Sequence, residues 1–363
     1  MNTATDNQAL SFLFGDRETV VSFSPPDKSL LPEDAVWIAD ENTRQYAPAD
    51  CIVVPPGEAS KSWDMVHRLL LSLLDRRTER GGTLVGVGGG VICDLTAFVA
   101  SIYARGIHLV LVPTSLLAMV DAALGGKTGI DFGGYKNMVG TFYPAERLIV
   151  DPRMVETLPD REYKSGLGET IKTGLLGDEE LLSLLESRRD EVLSRNPKVV
   201  EEIVRRCVTV KGRIASADFR EGAGTRGAAA GDPGAPKPGP GRAALNLGHT
   251  FAHALEAVTD LSRYTHGEAV AWGIYRATLA SRAQGRCSED YLLRVRRILE
   301  AYGFDLEIPD LDADALVAAM YRDKKTAGGA LKFVLQEGPG RQELVTLEEP
   351  EIRQALGVAD YSS

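Results

Sequence analysis

The sequence predicts an α/β domain built on a parallel sheet, followed by an all-α domain. Two observations predict it. Short β-branched runs alternate with helical patterns in the first part of the chain, and from about residue 159 onward the pattern turns helical. A length of 363 residues accommodates two cores of this kind, which we place at 1–155 and 156–363.

Taken in order, Val36–Asp40, 51–54, 83–87, 108–112 and 148–151 read as strands, because each is a short β-branched and apolar run. Segments 62–80 and 91–105 read as the helices between them. The second part reads as helices at 161–176, 179–195, Pro197–Ala217, 246–259, 267–284, 289–302 and 313–321. Two late runs, 331–336 and 343–346, suggest a small hairpin. Segment 222–241 (GAGTRGAAAGDPGAPKPGPG) is almost entirely Gly, Ala and Pro and has too little apolar surface to offset its chain entropy, so a flexible insertion is expected there. No internal repeat is present.

Composition narrows the function. Hydrophobic residues make up 44% and charged residues 25%, as in an ordinary globular protein. The most apolar stretch, 107–124, is interrupted by His108, Pro113 and Asp121, so no membrane span is expected. The N-terminus shows no secretion signal, and Cys51, Cys93, Cys207 and Cys287 form no CxxC pair. Reduced thiols in a cytoplasmic protein are expected. A formal net charge of -10 repels a nucleic acid on average. An anionic small molecule would need a pocket built from particular lysines and arginines.

Of five histidines, His249, His253 and His266 fall within eighteen residues. His249 and His253 are spaced i,i+4, which puts both imidazoles on one helix face. Three imidazoles flanked by Gly248 and Gly267 point to a catalytic metal site, which needs three protein ligands and an open position. Glu169 lies in GLGETIK, a small and apolar helical stretch where a carboxylate is costly unless paired or metal-bound. The protease motif HExxH is absent because residue 250 is Thr.

Gly86-Val-Gly-Gly-Gly90 follows a strand and opens a helix, as in a Rossmann-like dinucleotide loop, although Val91 departs from GxGxxG. Gly125-Gly-Lys-Thr128 imitates the end of a P-loop, but Asp121 stands where that motif needs Gly.

These segments occur in a particular order: GGGVICDLTAFVASIYARG, VPTSLLAMVDAALGGKTGIDFGGYKNMVGTFY, SGLGETIKTG, LNLGHTFAH, HGEAV and RDKK. Together they strongly resemble the 3-dehydroquinate synthases, within the sugar phosphate cyclase superfamily. The resemblance implies a dehydroquinate synthase-like fold with an N-terminal NAD-binding domain, a C-terminal helical metal-binding domain and an active site between them. It implies Glu169, His249 and His266 as ligands of Zn2+ or Co2+, with His253 as a proton-transfer group. It places NAD at Gly88, Gly89, Gly90, Asp94, Thr114 and Ser115, with Asp40, Asn42, Glu58, Lys61, Lys127, Lys136, Thr157 and Leu158 as further contacts. Lys172, Lys211, Asp121, Arg242 and Glu221 would act on the substrate, and Lys127, Lys136, Asn137, Asn246 and Lys324 would bind it. Arg105 would reach into a neighbouring subunit, implying a homodimer.

The implied reaction converts 3-deoxy-D-arabino-heptulosonate 7-phosphate into 3-dehydroquinate and phosphate. Its route is transient oxidation by NAD, β-elimination, re-reduction and intramolecular aldol closure, in a phosphorus–oxygen lyase of aromatic biosynthesis. The sequence departs from the family at Cys93, where many members have Gly, and at Ala122-Ala123, which replaces a common Ser-Ser pair. The insertion separates Glu221 from Arg242. Two alternatives stay open. One is another cyclase, such as an amino-dehydroquinate, 2-deoxy-scyllo-inosose or valiolone-type synthase. The other is a metal-dependent polyol dehydrogenase, which would release NADH.

Overall fold

The computed structural model describes residues 9–220, 240–259, 263–308, 311–324 and 331–357. The chain divides into two compact units: Met1–Leu158 with Lys211–Phe219, and Pro159–Val210 with Arg220–Ser363. Glu221 and most of the Gly/Ala/Pro stretch expected to be flexible lie outside the described residues.

The first unit holds β1 (Leu10–Phe14), β2 (Arg17–Phe23), β3 (Val36–Asp40), β4 (Ile52–Val54), α1 (Trp63–Asp75), β5 (Thr83–Gly88), α2 (Gly90–Ile102), β6 (His108–Pro113), β7 (Lys127–Phe132), β8 (Tyr135–Phe142) and β9 (Arg147–Val150). Seven strands pair in the order β1-β2-β9-β6-β5-β3-β4. All pairings are parallel except β1 with β2. Every residue of β5 is buried, as a central parallel strand demands. The connection β3–β4 runs to one side of β3, and β5, β6 and β9 build on the other. The carboxyl ends of β3 and β5 therefore flank a topological switch point, the usual ligand crevice of such sheets.

Helix α1 begins at the Ser62 cap, whose hydroxyl accepts from Met65 N at 3.3 Å. It buries Met65, Val66, Leu69 and Leu73. It stops at Asp75, short of the expected residue 80, because Arg77 takes a positive φ of 54°. The β7–β8 hairpin was not among the expected strands. It turns through Gly133 and Gly134, both at positive φ (60° and 83°), a pair suited to a two-residue reversal. Strands β1 and β2 were also not foreseen.

The second unit is helical: α3 (Asp160–Gly177), α4 (Glu179–Ser187), α5 (Arg189–Leu193), most of α6 (Pro197–Ala217), α7 (His249–Val258), α8 (His266–Ala283), α9 (Glu289–Ala301) and α10 (Ala313–Lys324). A β10 (Lys332–Gly338) and β11 (Arg341–Thr346) hairpin and α11 (Glu349–Leu356) complete it. The expected single helix 179–195 breaks at Arg188, which leaves helical geometry at φ -118° and ψ 28°. The end of α6 belongs to the first unit: a Cβ on Gly212 would lie 2.3 Å from the Phe12 ring. The Phe14 and Phe219 rings pack at 5.9 Å.

Cys51, Cys93, Cys207 and Cys287 are all free thiols. Among the described residues no helix is long and apolar enough to cross a membrane.

The two faces of α1 set a stability test. Leu69 is 1% exposed and Leu74 is 60% exposed. Leu69→Ala should cost about 2–5 kcal/mol in denaturant unfolding. Leu74→Ala should stay within about 0.5 kcal/mol. Equal losses would contradict the assigned faces.

Candidate active site

Three helices of the second unit carry the metal-type residues. Glu169 lies in α3, His249 opens α7 and His266 opens α8. Glycines let these helices approach to backbone contact. A Cβ on Gly168 would sit 2.3 Å from Gly267 O, and one on Gly267 would sit 1.8 Å from Ser165 O. The Ser165 hydroxyl accepts from Gly267 N at 3.0 Å. Each of these glycines adjoins a site residue, so the helix crossing itself juxtaposes Glu169 and His266. At the other contact, a Cβ on Gly273 would lie 2.2 Å from Gly248 O. Gly248 adopts φ 79°, which starts α7 at His249 rather than at the expected residue 246. The start of α8 is set by a capping box. Glu268 N donates to Thr265 Oγ1 at 3.3 Å, and Thr265 N donates to Glu268 Oε2 at 2.8 Å.

One ligand atom each from Glu169, His249 and His266 lie within 4.8 Å of one another. Glu169 Oε1 stands 3.3 Å from His266 Nε2 and 3.7 Å from His249 Nε2. Tetrahedral coordination with bonds of about 2.0–2.1 Å places neighbouring ligand atoms roughly 3.3 Å apart, so the donor set fits a zinc-like ion. These are the three residues that the resemblance implies as ligands, and the fold brings them together. His253 is exposed on the same face of α7, its ring 5.5 Å from His249 and 6.4 Å from His266.

The electrostatics are those of a buried charge cluster. Glu169 is fully buried and pairs with the equally buried Lys172. Burial, then the Lys172 charge, lowers His249 to about 3. Its Nδ1 lies 3.2 Å from Leu247 O and its Nε2 3.7 Å from Glu169 Oε1. Burial also pulls on His266, but the carboxylates of Glu169 and Glu256 beside its two nitrogens outweigh it and raise the group to about 10. Glu256 was not foreseen from the sequence. The signal was present, since it continues the His249 and His253 face of α7 at i+7.

The first unit supplies the glycine loop. Gly88 ends β5, and Gly89 and Gly90 open α2, whose first turn has no side-chain cap. Ile92 packs against Gly88, where a Cβ would be 2.5 Å from it, while Gly89 and Gly90 face looser space, with nothing nearer than 3.4 Å. At the neighbouring strand end, Asp40 Oδ1 accepts from Asn42 N at 3.0 Å and Thr43 N at 2.9 Å. The Thr43 hydroxyl donates to Val87 O at 2.8 Å and ties the two loops together.

Lys61, 4% exposed, donates to Asp94 at 2.7 Å and to Asn137, and lies 3.7 Å from Glu58. Burial pushes the Asp94 carboxyl up, with Lys61 pulling against it. Burial works against the Lys61 charge, yet Asp94 and Glu58 hold its ammonium above the ordinary value. Asn137, at φ 52°, donates its backbone N–H to Asp131 at 2.8 Å. Thr114 N donates to Gly88 O at 2.9 Å, and Ser115 Oγ accepts from Ala118 N at 3.2 Å. Cys93 is buried with its thiol 3.6 Å from Gly88 O, and burial raises it far above the usual range.

The remaining expected residues are placed as follows. Lys211 Nζ donates to Asp121 Oδ1 at 2.6 Å and to its backbone carbonyl. Lys127 and Lys136 are exposed on the β7–β8 hairpin. Arg105 is exposed in a turn where Ala104, Arg105 and Gly106 all have positive φ (49°, 69° and 115°). Thr157 is exposed and Leu158 half-buried. In the second unit Arg242 is buried and Asn246 exposed, both in the short 3-10 turn Gly241–Asn246. Lys324 ends α10, but its side chain, like Glu221, lies outside the described residues.

The profile described as 3-dehydroquinate synthase N-terminal matches residues 51–165, and 3-dehydroquinate synthase C-terminal matches 166–228 and 237–326. The chain belongs to the 3-dehydroquinate synthase family. Within that family, the 3-dehydroquinate synthase of Dictyoglomus thermophilum is 40% identical over 310 residues, 85% of this chain and 82% of its own. Among solved structures, 2-epi-5-epi-valiolone synthase from Streptomyces hygroscopicus, with NAD+ and Zn2+ bound, aligns at TM-score 0.79 and 25% identity over 94% of this chain and 96% of its own. A 2-deoxy-scyllo-inosose synthase complexed with carbaglucose-6-phosphate, NAD+ and Co2+ aligns at 0.81 and 23% over 96% and 99%. The break in the C-terminal match, 229–236, falls inside the Gly/Ala/Pro insertion of this 3-dehydroquinate synthase family member.

The helix contact makes a direct prediction. Gly267→Ala drives a methyl group into the α3 backbone and should destabilise the protein by about 1–3 kcal/mol or more. Gly81→Ala, with nothing within 4 Å of its Cβ, should remain within about 0.5 kcal/mol. Thermal unfolding of the two variants checks the pair.

Proposed function

We propose that the chain is a 3-dehydroquinate synthase, converting 3-deoxy-D-arabino-heptulosonate 7-phosphate into 3-dehydroquinate and phosphate with NAD and a divalent cation. The observation that carries this reading is the convergence of buried Glu169 with the half-buried His249 and His266 in a chain of this family. Those three residues would hold the cation, and Gly88–Gly90 with Asp40, Lys61 and Asp94 would hold NAD at the switch point of the sheet. The cation would polarise a substrate hydroxyl and NAD would accept and return a hydride, so no cofactor is consumed.

The chain's own groups bind and orient. Lys172 balances the Glu169 carboxylate, which could not otherwise be buried as an anion. Lys211, held by Asp121, and the buried Arg242 guanidinium supply the positive charge that a phosphate or carboxylate requires in an acidic chain. Lys127, Lys136, Asn137, Asn246, Lys324 and Glu221 complete the proposed substrate set. His253, exposed beside His249, would carry a proton to or from the substrate. Arg105 would serve the site of a second copy, in a cytoplasmic homodimer. The closer sequence relatives support the dehydroquinate type over other cyclases of the same fold.

Purified protein incubated with the heptulosonate phosphate, NAD and Co2+ or Zn2+ should release one phosphate per dehydroquinate formed, without net NADH absorbance. Accumulating NADH would instead indicate a dehydrogenase. His249→Ala should abolish both metal uptake and turnover, and chelation of the unsubstituted enzyme should do the same reversibly. Full turnover without metal would refute the site. Lys61→Met removes a buried charged hydrogen bond and should weaken NAD about 10–100-fold by calorimetry, leaving Co2+ affinity unchanged.

A further inference from the structure

Glu256 is a buried carboxylate that the reading above does not use. Its side chain is 5% exposed on α7, seven residues after His249 and on the same helix face. Its Oε1 lies 3.5 Å from His266 Nδ1. The other ring nitrogen, Nε2, lies 3.3 Å from Glu169 Oε1. His266 is therefore held between two carboxylates brought by two different helices, one at each nitrogen.

A neutral imidazole has one N–H and one lone pair, and an acceptor at one nitrogen decides which is which. With the proton on Nδ1 and directed at Glu256, the Nε2 lone pair faces the cluster. We propose that Glu256 is the positioning residue for His266: its carboxylate fixes the tautomer and ring plane that present Nε2 to a divalent cation shared with Glu169 and His249. This rests on the cation reading above.

The two imidazoles are then oriented by unlike acceptors. His249 Nδ1 faces a neutral backbone carbonyl, Leu247 O at 3.2 Å, whereas His266 Nδ1 faces an anion. A carboxylate partner makes the imidazole a stronger donor. It also changes the charge balance. Lys172 pairs with Glu169, and Glu256 adds a second carboxylate beside the same imidazole.

The test is Co2+ binding to the full-length protein, read by calorimetry and by the visible absorption of the bound ion. Glu256→Leu should weaken Co2+ binding about 10–100-fold and shift the spectrum. Glu256→Gln keeps the shape and an acceptor oxygen but loses the charge, and should fall between Leu and the unsubstituted protein. NAD affinity should not change in either variant. If both variants bind Co2+ with unaltered affinity and spectrum, Glu256 is a structural core residue and the proposal fails, whatever happens to the melting temperature. If the unsubstituted protein takes up no Co2+, the cation reading itself fails, and the proposal with it.

A measurement without substitution covers the case of unfolded variants. In the Zn2+-loaded protein with 15N-labelled histidine, His266 should show a protonated, slowly exchanging Nδ1. An unprotonated Nδ1 overturns the assignment.

Discussion

The backbones of α3 and α8 meet at Gly168 and Gly267, and the position of Glu169 relative to His266 follows from that meeting. Side chains of ordinary size would hold two packed helices about 8–10 Å apart, axis to axis. Here a methyl group on either glycine would collide with the opposing main chain. A second glycine pair, Gly248 and Gly273, brings the start of α7 to the middle of α8 in the same way. Three helices are thus drawn together where each carries a site residue. Rigid elements at backbone contact place such residues more closely than loops can.

Close approach has an electrostatic cost, and the residues around the cluster offset it. A fully buried carboxylate is unfavourable unless its charge is matched. Lys172, three residues along α3, matches Glu169. His266 sits between Glu169 and Glu256, and the two carboxylates favour positive charge at that point. A dication in the same place would supply that charge, which is why the donor set fits one. The first unit repeats the logic with other residues. Lys61 is buried against Asp94, and Lys211 is held on Asp121. A chain of net charge -10 can in this way keep buried lysines charged, each against its own carboxylate.

Much of this was legible in the residues. The parallel strands β3, β5 and β6 announced themselves as apolar β-branched runs, because a strand buried on both faces needs no polar alternation. The β7–β8 hairpin did not. Its residues alternate weakly, β8 is largely exposed, and its Gly133-Gly134 turn sits among glycines that also resemble a phosphate loop. Arg188 broke a helix whose periodicity continues through it, since a local backbone excursion leaves no trace in hydrophobic spacing. Glu256 carries no such mark in the sequence, because a lone glutamate in a helix is ordinarily a solvated charge. Its burial became visible once α8 covered it.

The sequence by itself determined the kinds of group available and their local spacing. It placed a carboxylate in a small-residue helix, two imidazoles one turn apart, a glycine loop after a strand, and motifs in the order of one enzyme family. Tertiary structure alone decided which of those groups share a point in space. Helical periodicity puts His249 and His253 on one face without ranking them. The ranking comes from where α8 crosses, which brings His266 and Glu169 to His249 and leaves His253 exposed at the rim. Spacing along a chain constrains neighbours within one element, whereas a metal-type cluster is a relation among elements distant in sequence, set by how closely their backbones can pack.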